Sequence, residues 1–346
     1  MTIDVTSPVK LARAGAWRTY LGGSLIEALH GNEGRPDTNF PEEWIMSTVA
    51  ARNSGREHIV EGLSMVDGTD VSLADLIASD PEKILGAKHA AKYKNSLGVL
   101  VKLIDSSERL TVQVHPTRDK ATELFGSPFG KTECWHILGG REVNGEKPCI
   151  YFGFKEGISR EHWKEVFDNQ DIPAMLDCMH KFYVKPGDTF LIKGGIPHAI
   201  GAGCFLVEIQ EPTDYTIRTE RKTPSGLAVS DFMCHQGLGF DKMFDCFDYY
   251  GYTEDEVLAN FYIKAKNDAI VSYEDTEMFR LDEILVDGDV TLSSNDVFSG
   301  IYVLDGEGTV NGTAVKKGAQ FFIPACCKPF SVQGKMKIIR FYGPKE

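Results

Sequence analysis

KPGDTFLIKG at 185–194 is echoed 131 residues later by KKGAQFFIPA at 316–325. Each copy opens on a lysine, places a glycine third and then runs apolar, which is the pattern of a glycine turn feeding a buried strand. A β unit beginning near residue 266 therefore repeats part of an earlier one. The texture around the two copies agrees. Thirty-four glycines and fifteen prolines punctuate short runs of Val, Ile, Phe, Tyr and Thr, so the spacing predicts a mainly β protein. Helical periodicity stands out in two places, about 72–93 (Leu73, Leu76, Ile77, Ile84, Leu85) and about 159–180. The second starts at a Ser159 N-cap and carries Trp163, Val166 and Phe167 on one stripe, continuing past Asp171 to Met179. The expected organisation is a first unit over 1–265 with these helices inserted and a second β unit over 266–346.

The two copies differ in chemistry. All nine histidines lie at or before His235, and in register with the echo His198 is matched by Pro329. A metal held by histidine would belong to the first unit only.

Composition narrows the partners. The 346 residues are 42% hydrophobic and 25% charged, an ordinary globular mix. Fifty acids against 37 lysines and arginines give a net charge of −13, which argues against nucleic acid and anionic membrane as partners. No apolar stretch approaches the roughly 18 residues of a membrane span, and MTIDVTSPVK lacks the apolar core of a signal peptide, so a cytoplasmic protein is expected. The eight cysteines show no CxxC pair and read as reduced thiols.

Four segments carry the candidate chemistry. LVKLID at 100–105 reads as a buried strand with Lys102 inside an apolar run. In LTVQVHP at 110–116 strict alternation puts Gln113 and His115 on one face. In KTECWHIL at 131–138 Lys131, Glu133 and Trp135 share a face, with His136 on the other, and GGIPHAI at 194–200 sets His198 just after a glycine turn. A histidine in a strand is ordinarily a hydrogen-bonded structural residue. Together, Gln113, His115, Glu133 and His198 form a mixed nitrogen and oxygen set that suits a borderline divalent ion such as zinc and leaves room for substrate.

The order of these motifs resembles the type I mannose-6-phosphate isomerases of the cupin superfamily, in their short bacterial form. The matching stretches are Trp17 with YLGGSLI at 20–26, EEWIMS at 42–47, VKLID at 101–105, VQVHP at 112–116, GKTECW at 130–135 and GIPHA at 195–199. Glu208, TIR at 216–218, VLDGEG at 303–308 and FIPA at 322–325 follow. The resemblance implies two cupin (jelly-roll) barrels with a small helical addition, and one zinc ion per chain held in the first barrel by Gln113, His115, Glu133 and His198. It also implies Arg218 as the active-site arginine, Lys131 as a catalytic lysine, and Lys102, Trp44 and Ser47 on the substrate side. The implied reaction interconverts mannose 6-phosphate and fructose 6-phosphate through a cis-enediol. Lys131 and a zinc-bound water remain alternative bases, and Lys102, Arg221 and Lys222 are candidates for the phosphate. The chain departs from the family at TVAARNSG (48–55), where a His-Pro-Asn-Gly type of stretch is usual. Another sugar or sugar phosphate as substrate, or a non-catalytic sugar-binding cupin, are therefore the competing readings. An iron oxygenase ranks below them, because it would need His-x-His with a glutamate a few residues on. Oligomeric state is left open.

Overall fold

Alternating apolar residues build three sheets in the computed structural model, which describes residues 3–53, 55–266 and 269–346; Met1, Thr2, Ser54, Asn267 and Asp268 lie outside them. The first sheet runs, from edge to edge, Gly15–Ala16, Glu42–Ile45, Leu100–Asp105, Cys204–Gln210, Glu133–Gly140 and Thr189–Ile192, antiparallel throughout. The second is centred on His198–Ile200, flanked by Gln113–Val114 and then Ile217–Arg218 on one side and by Cys149–Lys155 on the other. The third joins Arg280–Leu292, Ser299–Val310, Gln320–Ile323 and Phe330–Tyr342, with Val9–Leu11 added at one edge. The protein is mainly β. Among the described residues each sheet is an open path from edge to edge and none closes into a barrel, so the closed barrels expected from the resemblance are not what the hydrogen bonding draws.

Period-two alternation explains the stacking. Ile104, Ile137, Phe190, Ile192 and Leu206 leave the first sheet towards Ile150, Phe152 and Ile200 of the second. Their sequence neighbours Val101, Leu103, Leu191 and Val207 point the other way, against Leu281, Tyr302, Phe322, Ile339 and Phe341 of the third. The third sheet also folds an apolar face on itself through Ile301, Val303, Phe321 and Val332. In the echo, Gly187 and Gly318 hold nearly the same positive φ (92° and 90°) just before the buried strands Thr189–Ile192 and Gln320–Ile323.

The helical stretches are shorter and more numerous than periodicity suggests. Residues 72–93 form three helices, Leu73–Ser79, Pro81–Leu85 and Ala87–Tyr93, the first two capped by the Ser72 and Asp80 side chains. The later stretch is Arg160–Asn169 and Ile172–Asp177, after which Met179 opens a strand. Trp163, Val166 and Phe167 pack on the outer face of the second sheet. Further helices at Ser24–Leu29, Arg118–Phe125, Asp231–His235 and Glu254–Phe261 span at most eight residues. Two turns display too little of a 3.6-residue period to be told from loops.

One strand serves two environments. Along Glu42–Ile45, Glu42 and Trp44 face the second sheet's side. Glu43 is buried on the opposite face, where Arg13 (3.0 Å), His30 (2.6 Å) and the Tyr302 hydroxyl (3.1 Å) meet its carboxylate. A buried carboxylate needs this degree of satisfaction.

Candidate metal centre and active-site cleft

Strand register places the site residues in two rows. Trp44, Lys102, Glu208 and Trp135 are successive cross-strand partners in the first sheet. Arg218, Gln113 and His198 are successive partners in the second. Glu133 lies two residues before Trp135, hence on the same face.

Three glycine-adjacent segments are drawn together at one turn. A Cβ on Gly130 would lie 2.6 Å from the Pro116 carbonyl oxygen, and one on Gly194 only 2.7 Å from the same atom. Lys131 N–H donates to Pro116 and Gly195 N–H to His115. Only residues without side chains at 130 and 194 let both segments close on the His115–Thr117 turn, and this brings Lys131, Glu133 and His198 to His115.

His115, Glu133 and His198 are buried with ligand atoms all within 4.8 Å of one another, a group that could hold a metal ion. The rings' Nδ1 atoms are committed to backbone carbonyls, His115 to Tyr215 (2.9 Å) and His198 to Ile196 (2.8 Å). Each Nδ1 therefore carries the proton, and both Nε2 lone pairs face one point 3.2 Å apart. Glu133 approaches the two rings at 3.2 and 3.4 Å, and among the described residues its buried Oε1 finds no hydrogen-bond donor. The Gln113 amide lies 3.2 Å from His198 Nε2. Two facing lone pairs and an unsatisfied carboxylate oxygen repel one another unless a cation lies between them, so the donor set fits a metal ion. Lys131 partly fills that need: its ammonium donates to Glu133 (2.6 Å) and to His115 Nε2 (2.8 Å). Burial, with the Lys131 ammonium alongside, pushes His115 down to about 4, and burial lowers His198 as well. Burial alone would raise Glu133, but Lys131 and the imidazoles outweigh it and hold the carboxyl well below its usual range.

A narrow cleft opens above this group. Gln113, Lys131, Lys102 and Arg218 line it. Lys102 is tied to Glu208 (2.9 Å), with Trp44 beneath it at 5.2 Å from ammonium to ring centroid. Arg218 donates to the carbonyls of Thr216 and Met233. Trp44 is fully buried behind the cleft wall, its indole N–H on Glu42. Ser47 is buried away from the cleft and bonded to Val49 and Ser64, closing the loop that follows. Of the two further phosphate candidates, Arg221 pairs with Asp231 (3.0 Å) and neither it nor Lys222 lines the cleft.

Sequence reasoning missed Arg18, Tyr20, Glu42 and Asp214, all lining the cleft. Arg18 bridges Glu42 (3.0 Å) and Asp214 (3.3 Å), and Tyr20 donates to Glu42 (2.7 Å). Burial would raise Asp214, but Arg18 and Lys102 hold it down at about 2. Glu42 was within reach of strand alternation, two residues from Trp44; Arg18 and Asp214 sit in loops, where no period marks them.

The fold is mainly β, and its C-terminal part matches a cupin domain. Residues 269–343 match the family described as "Mannose-6-phosphate isomerase, cupin domain". The chain is similar over part of its length to mannose-6-phosphate isomerases, and it spans less than half the length of the first curated relatives it matches. It is 35% identical over 149 residues to the mannose-6-phosphate isomerase of Streptococcus mutans, a stretch covering 41% of this chain and 44% of that relative's length. A putative mannosephosphate isomerase from Archaeoglobus fulgidus has the same fold (TM-score 0.74, 24% identity, covering 99% of this chain and 100% of that one). So has a mannose 6-phosphate isomerase solved with zinc and yttrium bound (TM-score 0.70, 14% identity, covering 98% and 100%).

Proposed function

We propose that the protein is a zinc-dependent aldose–ketose isomerase that interconverts mannose 6-phosphate and fructose 6-phosphate in the cytoplasm, with one ion per chain. The observation that carries this reading is the pair of imidazole Nε2 atoms turned on one point beside Glu133, with both tautomers locked from behind. In the same proposal residues 1–265 are the catalytic cupin unit, and 266–346 a second cupin-like unit without metal ligands, each a variant of the jelly-roll barrel.

Gln113, His115, Glu133 and His198 would hold the ion, which supplies Lewis-acid stabilisation of the oxyanion developing at C1 and C2. The chain's own groups do the rest. Lys131 reaches both the ligand set and the cleft. In its neutral form the Lys131 amine, having released a proton, would take the proton from C2 and return it to C1 through a cis-enediol. Arg218, across the strand from Gln113, faces the charge that grows on the enediol oxygens. Lys102, aligned by Glu208 on the face of Trp44, offers its remaining N–H bonds to sugar hydroxyls, and Ser47 fixes the loop beside them.

A coupled assay for fructose 6-phosphate formed from mannose 6-phosphate tests the reading. Zinc-loaded protein should turn over at ordinary enzymatic rates and lose that activity on chelation. Folded, zinc-loaded protein without turnover refutes the substrate and moves the search to other sugars.

A further inference from the structure

The cleft continues past Asp214 and Arg218 into a second chamber of about 270 Å³, walled by Arg52 and Asn53 of the departing 48–55 stretch, by Ile59, and by Phe232 and Met233. That stretch is fastened to the cleft at two consecutive residues. Arg52 N–H donates to Asp214 (3.2 Å), while the buried Asn53 donates to the Trp17 carbonyl (2.9 Å).

Charge sorts the cations of cleft and chamber. Arg18, Lys102, Arg109 and Lys131 are each ion-paired with a carboxylate, the contacts being 3.0, 2.9, 2.5 and 2.6 Å. Arg218 and Arg52 are the remaining two. Among the described residues neither has a carboxylate within ion-pair distance: Arg218 donates to backbone carbonyls, and the exposed Arg52 guanidinium rests over the Tyr215 ring at 5.5 Å from its centroid. Both border the chamber; Arg218, the strand partner of Gln113, stands at its neck, and Arg52 is the cation beyond it, its guanidinium without a carboxylate in contact among the described residues. The acids lining the chamber are Asp214 and Glu57, which accepts the Gly55 N–H (2.9 Å).

We propose that Arg52 binds the distal phosphomonoester of the substrate in this chamber, beyond Arg218 at its neck. The inference rests on the isomerase reading for the direction in which the sugar lies, its reacting end towards Gln113 and Lys131. It assigns the phosphate to the segment in which this chain departs from the family it resembles. Lys102 does not take it, being held by Glu208, and neither does Arg221, which is held by Asp231 and stacked on Phe240 at 4.4 Å. A planar guanidinium without a carboxylate partner is the group suited to a phosphate's oxygens.

Calorimetry with inorganic phosphate on the metal-free full chain gives one readout. Arg52→Ala should weaken binding about 10- to 100-fold. Arg52→Lys should restore part of it, Glu57→Gln should tighten it, and Arg221→Ala should leave it as in the parent. Steady-state kinetics on zinc-loaded protein give the other: Arg52→Ala should raise KM for mannose 6-phosphate by a similar factor, with kcat changed far less. Equal phosphate binding by the parent and Arg52→Ala overturns the proposal, as does a loss confined to Arg221→Ala. If the parent turns over mannose 6-phosphate and Arg52→Ala keeps its KM, the site is refuted and the isomerase reading stands. If phosphate binds through Arg52 and the parent shows no turnover, the site stands and the sugar is another phosphate ester.

Discussion

His115 directly follows the strand that pairs with Arg218's, yet in the proposed function the two serve different steps, and their removal should separate holding a metal from using it. His115→Ala takes away one of two facing lone pairs, so metal analysis of the purified variant should show zinc affinity reduced by at least about 100-fold, with turnover lost. Arg218→Ala leaves the donor set whole; zinc content should stay at the parent's level while kcat falls roughly 10²- to 10³-fold. A His115→Ala protein that keeps its zinc, or an Arg218→Ala protein that keeps its kcat, would contradict these assignments. At this scale the sequence was informative wherever side chains sit on strands. Gln113, Glu133 and their neighbours were found because a period of two states which residues share a face. Arg18 and Asp214 escaped because loop residues carry no such rule, and their joint role depends on contacts between positions 196 residues apart.

Short elements explain both the success and the gaps at the next scale. The glycine turns at 185–188 and 316–319 were readable because they combine a positive-φ glycine with an apolar run. Helices of five to eight residues were not, since they show a single face for barely two turns. The most consequential local feature is the double approach of Gly130 and Gly194 to Pro116. Gly194→Ala would push a methyl to 2.7 Å from a carbonyl oxygen and 2.8 Å from the Thr117 backbone. Thermal unfolding of the metal-free variant should show a loss of about 1–3 kcal/mol, and zinc should bind more weakly although no ligand has changed. The same substitution at Gly157, where nothing stands within 4 Å, should leave zinc binding intact. Gly157 carries a positive φ that Gly194 lacks, so its alanine variant suffers a backbone penalty without a steric clash, and zinc affinity is the property to compare.

Across the whole molecule, buried neutral imidazoles make stability depend on acid. Burial lowers His136 from the usual 6.5 to about 4, as it does His115. Below pH 6.5 the unfolded chain takes up protons that the folded chain refuses, so metal-free protein should lose stability from about pH 6.5 down to about pH 4. Each such histidine contributes about 1.4 kcal/mol per pH unit within that window. Denaturant titrations across this range should show the decline, and His136→Asn should flatten it by close to one histidine's share; an unchanged slope would remove His136 from the account. The His115–Thr117 turn carries a consequence for the order of events in the cell. Its partners arrive late: Glu133 comes 18 residues after His115, and His198 another 65. A nascent chain emerging from the ribosome therefore has no complete set of donors until Pro197 and His198 have cleared the exit tunnel and both glycines have closed on Pro116. Loading belongs to the finished fold, and which ion the protein carries is decided by the shape of the assembled pocket and not by which ion first met the growing chain.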